Sequence, residues 1–367
     1  MSNGISSIEP NNSDNKERIL LLSSRPFEYS GMTKIELDII DNLSNNIDFD
    51  IASYDYCPEY DDLLKSKKIK QYNLSDKKHV LSYMHDIYKT VKNENYKKVY
   101  IHGNSSLMLL EALPCKLAGV KVITHCHNGK PQKNLYRNNI LKPFFNCLVD
   151  CKIACSENAA DWTYTGERTV IPNGIDIERF RFNQSARDKI RCELGINEKS
   201  VIGHVGTFNE QKNHKKLISI FEEFLKIKSD SILLLIGDGE LKEDIVSEVR
   251  EKGLSEHVFF TGYVNNPEDY FQTMDVLIVP SLFEGFCLVA LEAQVSGLPV
   301  LVSEKIPEEA IVTENCVKMN LEDSDEAWAK KAFELLNTDR KDNSKSLYEK
   351  GYSTDRMIKS IEKELLR

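Results

Sequence analysis

Two carboxylates, Glu284 and Glu292, stand seven residues apart in the run Pro280-Ser281-Leu282-Phe283-Glu284-Gly285-Phe286-Cys287-Leu288-Val289-Ala290-Leu291-Glu292-Ala293. A strand ends at Pro280, a Gly-containing turn follows, and a helix is predicted from near Phe286 until Gly297 and Pro299 stop it. A helix N-terminus offers free backbone N–H groups and the positive end of a dipole, which makes an anion site. Glu284 precedes the first turn, and Glu292 falls about two turns later, roughly 9 Å along the axis. That spacing suits a ligand with a diphosphate at the helix tip, a hydroxylated ring beyond it and a second along the helix flank. Either glutamate alone reads as a cap or a surface charge. Strand, turn and two spaced carboxylates together favour a site.

Lys212 stands in Gly206-Thr207-Phe208-Asn209-Glu210-Gln211-Lys212-Asn213 after the strand 200–206; a lone lysine after a strand usually reads as solvated, and its place in this glycine-led turn favours a function. Gly31, after the first strand, lets backbone approach a phosphate. His125 and His127 flank Cys126 at a strand end, and alternation puts both on one face. A metal reading of His125-Cys126-His127 fails, because adjacent strand residues point oppositely and no second ligand pair is evident. His125 reads as a hydrogen-bonded core histidine. Cys147, Cys151 and Cys155 lack zinc-knuckle spacing and read as free thiols. The chain has neither a P-loop nor a dinucleotide-binding glycine fingerprint.

The elements that must position these residues alternate. Runs of Val, Ile and Leu at 18–24, 97–103, 120–127, 151–156, 200–206, 231–237, 257–263, 275–281 and 298–303 read as strands buried on both faces. Amphipathic helical segments lie between them, for example Gln211 to Lys228 and Leu241 to Lys252. Strand then helix, repeated, implies an α/β fold with parallel sheets. The alternation breaks near Pro172-Asn173-Gly174, where turn chemistry and the polar stretch Asp176 to Glu193 predict a linker. The expected domains are 17–172 and 173–350, with the linker at the start of the second and a helix over 351–367. Residues 1–16 read as a disordered polar tail. Ligands of open α/β sheets bind beyond the strand carboxyl ends, so two facing domains would share a cleft there.

With 367 residues, two domains are the natural expectation. Apolar residues at 41% and charged residues at 29% exclude a largely disordered chain or a disulfide-rich miniprotein. A net charge of −9 argues against a nucleic-acid partner. Nine cysteines without an export signal read as reduced thiols of a cytoplasmic protein. No apolar run reaches the roughly 18–20 residues of a membrane span.

The Glu284-x7-Glu292 block resembles the E-x7-E motif of retaining GT-B glycosyltransferases. More narrowly, the chain resembles family 4 enzymes that build bacterial capsule and exopolysaccharide. Further matching pieces are Gly31-Met32, His125-Cys126-His127-Asn128, Ile171-Pro172-Asn173-Gly174-Ile175-Asp176, Gly203-His204-Val205-Gly206 with Gln211-Lys212-Asn213, Gly237-Asp238-Gly239, Gly262-Tyr263-Val264 and Ser296-Gly297-Leu298-Pro299. The resemblance covers about residues 18–367. It implies two Rossmann-like doubly wound domains facing a cleft, with the C-terminal helix returning to the first domain. It also implies roles: Glu284 on donor-sugar hydroxyls, Glu292 on the nucleotide ribose, backbone at Gly285, Phe286, Cys287 and Leu288 facing sugar and phosphate, Lys212 and the Gly206 turn at the diphosphate, and Tyr263-Val264 backbone at the base. His127 would point at the reacting sugar carbon. The family usually has Arg directly after Gly206, whereas Thr207 stands here; one lost charge-assisted contact is worth about 1.5–3 kcal/mol.

The implied reaction moves a sugar from a nucleotide-sugar, UDP-linked by expectation, to a saccharide or lipid-linked saccharide, with retained configuration, no cofactor and no metal. The acidic triplets Asp48-Phe49-Asp50 and Asp323-Ser324-Asp325 match D-x-D, which belongs to another glycosyltransferase fold, and read as surface charge. Residues 130–145 carry Lys130, Lys133, Arg137 and Lys142 among Leu, Tyr, Ile and Phe. This basic stretch suits either the cytoplasmic membrane face or a solvated helix surface. An alternative, favoured by Thr207, is a catalytically silent GT-B subunit that binds a partner transferase or acceptor. A nucleotide-sugar epimerase on the same fold would form product without acceptor.

Overall fold

The computed structural model describes residues 16–129 and 135–367. Most of the polar tail, and Lys130 and Lys133 of the basic stretch, lie outside the described residues. The first lobe is a seven-stranded parallel sheet of β1 (Glu17–Ser23), β2 (Ile47–Ser53), β3 (Gln71–Asn73), β4 (Lys98–Gly103), β5 (Lys121–Cys126), β6 (Cys151–Ala154) and β7 (Thr169–Val170), in the order β3-β2-β1-β4-β5-β6-β7. The second lobe is a six-stranded parallel sheet of β8 (Ser200–Val205), β9 (Ser231–Ile236), β10 (Val258–Gly262), β11 (Val276–Val279), β12 (Val300–Ser303) and β13 (Cys316–Met319), in the order β10-β9-β8-β11-β12-β13. Both orders place the topological switch beside the first strand of the lobe, between β1 and β4 and between β8 and β11. That is where a doubly wound sheet opens a crevice for ligand.

The central strands are apolar throughout because helices cover both faces. Ile19 to Leu22 and Leu233 to Leu235 are fully buried. The strand β2 was hidden by its acidic alternation. Asp50 is not surface charge: it is buried and accepts from Arg18 Nε at 2.7 Å and from the Tyr96 hydroxyl at 2.5 Å. The polar stretch 176–193 holds two short helices, Ile177–Phe180 and Gln184–Glu193, N-capped by Asp176 and Asn183. The C-terminal helix Thr354–Leu366 buries Met357, Ile358, Ile361 and Leu365 against Ile35 and Ile39 of the first-lobe helix Gly31–Leu43. Gly174 has no room for a side chain, because a Cβ would collide with the Ser353 carbonyl and Thr354 Cα.

Candidate active site

The loops after β1 and β5 in the first lobe face the loops after β8 and β11 in the second. Gln211, Lys212 and Asn213 act as a staple between the two second-lobe loops. The Leu282 N–H donates to the Gln211 carbonyl at 2.8 Å. Gln211 Nε2 donates to the Phe283 carbonyl at 3.0 Å and to Glu284 Oε2 at 3.2 Å. Asn213 Nδ2 donates to the Pro280 carbonyl at 3.1 Å. Asn213 adopts the left-handed conformation (φ 55°), which Asn tolerates better than most residues. Lys212 Nζ then lies 2.6 Å from Glu284 Oε1, both largely buried. Burial alone would lower the lysine pKa, but the Glu284 carboxylate more than offsets it and the net shift is upward. Gly206 leaves room for this lysine: a Cβ there would sit 3.2 Å from Lys212 Cδ and Cε.

The helix after β11 runs from Leu288 to Val295, two residues later than the sequence predicts. Cys287 takes a left-handed conformation (φ 75°) at its N-cap, so neither Phe286 nor Cys287 is helical. Glu292 is therefore about one turn into the helix, roughly 6 Å along the axis, rather than two. Phe286 and Cys287 are buried, and burial raises the Cys287 thiol pKa. The Cys287 carbonyl accepts from Ala290 and Leu291, which leaves the Leu288 and Val289 N–H groups as the first-turn donors outside the helical ladder.

The lobes touch along the cleft. Leu288 Cδ1 is 3.6 Å from where a Cβ on Gly31 would stand. Gly285 has no such space, since a Cβ would collide with the backbone of His127 and Asn128. Ser156 Oγ donates to the Gly285 carbonyl at 2.6 Å. Glu292 Oε1 accepts from Lys34 Nζ at 2.6 Å. Tyr263 packs on Tyr29 across the lobes, with centroids 3.7 Å apart and ring planes tilted by 36°, and Val264 is partly buried against the core. Thr207 is exposed beside the Gly206 turn. Gly31, His127, Gly206, Thr207, Lys212, Tyr263, Val264 and the stretch from Glu284 to Glu292 lie at or just beyond the strand ends that face one another, whereas His125 is buried within the first-lobe sheet. Lys34 and Ser156 reach across the lobes, and sequence reasoning missed them. Lys34 is one turn beyond Gly31, so helical spacing from that glycine is the signal that would have found it.

The histidines sit at the first-lobe side. His125 is fully buried and its Nδ1 pairs with the Tyr100 hydroxyl at 2.8 Å. His127 is part-buried, and its Nε2 lies 2.9 Å from Nδ1 of His102, a residue the sequence reading passed over. Burial lowers the His127 pKa to about 3 and holds His102 and His125 well below the usual range.

Two family profiles match consecutive parts of the chain: glycosyltransferase family 4 over residues 30–179, and glycosyl transferases group 1 over residues 186–354. EpsF of Bacillus subtilis (strain 168), named as a glycosyltransferase, is 31% identical over 264 residues, 68% of each chain. The chain belongs to the family 4 glycosyltransferases. A second relative of this glycosyltransferase is the Escherichia coli UDP-Gal:alpha-D-GlcNAc-diphosphoundecaprenol alpha-1,3-galactosyltransferase, 28% identical over 59% of this chain and 60% of that protein. Among solved structures, HepE of Anabaena in complex with UDP-glucose superposes with a TM-score of 0.79 at 19% identity, covering 95% of this chain and 99% of that one. WaaG, a glycosyltransferase of lipopolysaccharide biosynthesis, gives 0.70 at 15% identity, covering 93% and 94%. The fold of this glycosyltransferase is GT-B.

Proposed function

We propose that this glycosyltransferase moves a sugar from a UDP-linked donor to a hydroxyl of a saccharide or lipid-linked saccharide in surface polysaccharide synthesis, with the anomeric configuration retained. The observation that carries this reading is the Lys212–Glu284 pair, 2.6 Å apart beside the N-terminus of the helix Leu288–Val295 and across from Gly31. The E. coli relative's name specifies a UDP-galactose donor and a diphosphoundecaprenol-linked acceptor. HepE was solved with UDP and with UDP-glucose.

In this reading the donor diphosphate takes over the Lys212 ammonium and the Leu288 and Val289 N–H groups. Charge that grows on the leaving UDP then meets a cation and a helix dipole already in place. Glu284, released from Lys212, accepts from donor-sugar hydroxyls. Glu292 accepts from the ribose. The Tyr263-Val264 backbone borders the base, and His127 faces the reacting carbon from the opposite lobe. Attack comes from the face the leaving group departs, and the leaving phosphate helps take the acceptor proton, so no pair of carboxylates at glycosidase spacing is needed. The diphosphate itself needs no metal in this scheme.

Membrane contact belongs to the same proposal. The helix Leu135–Leu148 exposes Tyr136, Ile140 and Phe144, each four residues on from the last, beside exposed Arg137. An apolar stripe with basic neighbours suits an anionic lipid surface, where a lipid-linked acceptor resides. Among the described residues no helix is long and apolar enough to cross a membrane. The test is a panel of UDP-sugars with undecaprenyl-diphosphate-linked and free saccharide acceptors, the product anomer being read by NMR. UDP release coupled to an inverted product, or no transfer from any UDP-sugar, would overturn the proposal.

A further inference from the structure

In the transfer scheme His127 faces the reacting carbon, and His102 has no part. The two rings are nevertheless joined. His102 on β4 is in register with His125 on β5, and His127 is the first residue beyond that strand. His127 Nε2 lies 2.9 Å from Nδ1 of His102. The two ring planes are within 19° of each other, with centroids 4.9 Å apart, which fits an in-plane bond between ring nitrogens. His125 packs against the His127 ring, with centroids 4.1 Å apart, and its own Nδ1 is taken by the Tyr100 hydroxyl at 2.8 Å. Glu36 Oε1, at 3.8 Å from His102 Nδ1, is beyond hydrogen-bond range and does not compete for that nitrogen.

Burial holds the pKa values of both rings far below neutrality, so both are neutral and one hydrogen lies between them. The outer nitrogens, His102 Nε2 and His127 Nδ1, are buried and have no hydrogen-bond partner among the described residues. Whichever ring donates, one of these outer atoms is left as an unpaired N–H and the other as an unpaired lone pair. If His127 Nε2 donates, the unpaired N–H is on His102, fully buried inside the lobe. If His102 Nδ1 donates, it is on Nδ1 of His127, a part-buried residue at the cleft edge. An unpaired N–H with no access to water or ligand is the rarer and costlier choice. The second arrangement therefore wins.

We propose that His102 is a positioning residue for His127: its Nδ1–H donates to His127 Nε2, fixes His127 as the Nδ1–H tautomer, and leaves that hydrogen for an oxygen of the bound donor sugar. A partner on one imidazole nitrogen decides what the other offers. His127 then acts as a neutral hydrogen-bond donor, neither a base nor an imidazolium. Its place suits this role, because the turn that carries Glu284 packs through Gly285 on the His127–Asn128 backbone. With the lobes in contact Nδ1 is covered, so a donor sugar reaches it as they part. The choice of ligand rests on the transfer reading; the tautomer pair stands on first-lobe geometry alone.

The test is long-range proton–nitrogen correlation NMR of the full chain with isotope-labelled histidine, assigned with His102→Asn and His127→Asn. Spectra are taken alone and with UDP-glucose or UDP-galactose, whose binding is followed by calorimetry. Both rings should carry their hydrogen on Nδ1, and the His127 signal should move when a UDP-sugar binds. Hydrogen on His127 Nε2, or a His127 signal unmoved by a UDP-sugar that binds, overturns the proposal. In turnover, His102→Phe should lower kcat by about 10–100-fold, as misplaced reacting groups do, and let His127 carry its hydrogen on either nitrogen. His102→Asn, whose amide N–H stands near the place of Nδ1, should recover most of the rate. Equal losses in both variants with the His127 tautomer unchanged would make His102 merely structural and overturn the proposal. Should His102→Phe fail to fold, the wild-type spectra still decide. Failure of both UDP-sugars to bind counts against the transfer reading, whereas the wrong tautomer in a protein that binds them sinks this inference alone.

Discussion

The Lys34 ammonium of the first lobe lies 2.6 Å from the Glu292 carboxylate of the second, and it also sits over the Phe180 ring, 5.1 Å from the centroid. Burial by itself would lower the Lys34 pKa, but Glu292 reverses this and the net shift is upward. The pair therefore ties the lobes together at the carboxylate assigned to the ribose. Lys34→Met leaves Glu292 buried without its cation. Because the lysine is partly exposed, the cost falls below that of a fully buried pair, at about 1–3 kcal/mol. Scanning calorimetry should show a melting temperature several degrees lower; an unchanged melt would mean the pair contributes nothing.

Gly285 passes so close to the His127–Asn128 backbone that a single methyl group forces the lobes apart. Gly285→Ala should fold, with a wild-type circular dichroism spectrum, yet lose about 100-fold in turnover, the cost of misplacing reacting groups by about 1 Å. Turnover within threefold of wild type would show that lobe contact at this point is not needed.

By the resemblance noted in the sequence, Thr207 takes the place of an arginine expected at the diphosphate. Thr207→Arg should tighten UDP binding about tenfold, the low end for a charge-assisted contact at an exposed position. Calorimetric titration reads this directly. An unchanged dissociation constant would place the diphosphate away from the Gly206 turn.

His204 and His214 are buried in the second lobe, and burial lowers their pKa values to about 4 and about 2. The unfolded chain takes up these protons near pH 6.5 and the folded chain does not. Their stabilisation is therefore complete above pH 6.5 and is lost as pH falls toward 4, at up to about 1.4 kcal/mol per pH unit for each ring. Urea melts of His204→Asn against wild type between pH 7 and pH 4.5 should converge as pH falls. Parallel curves would contradict the assignment.

The sheets were legible because β1, β4, β5, β8, β9 and β11 are near-continuous runs of apolar residues. Three first-lobe strands were not: the edge strands β3 and β7 are too short to show a period, and the interior strand β2 alternates with Asp48 and Asp50. The start of the helix at Leu288 was misplaced because only the backbone decides whether Cys287 turns left-handed. Glu284, Glu292 and Lys212 were readable as chemistry because each follows a strand. Lys34 and His102 were not, because what makes them interesting is a partner 258 or 25 residues away, set by lobe packing and strand register.

The central claim is that Lys212 and the tip of the helix Leu288–Val295 receive the diphosphate of the leaving UDP. Its most direct test is the transfer rate of Lys212→Ala and Glu284→Gln at saturating UDP-sugar, with folding confirmed by calorimetry. The account predicts a fall of at least about 100-fold in kcat for Lys212→Ala, in line with the loss of one preorganised charge-stabilising group, and a fall for Glu284→Gln as well. Turnover of both variants within twofold of wild type would contradict it.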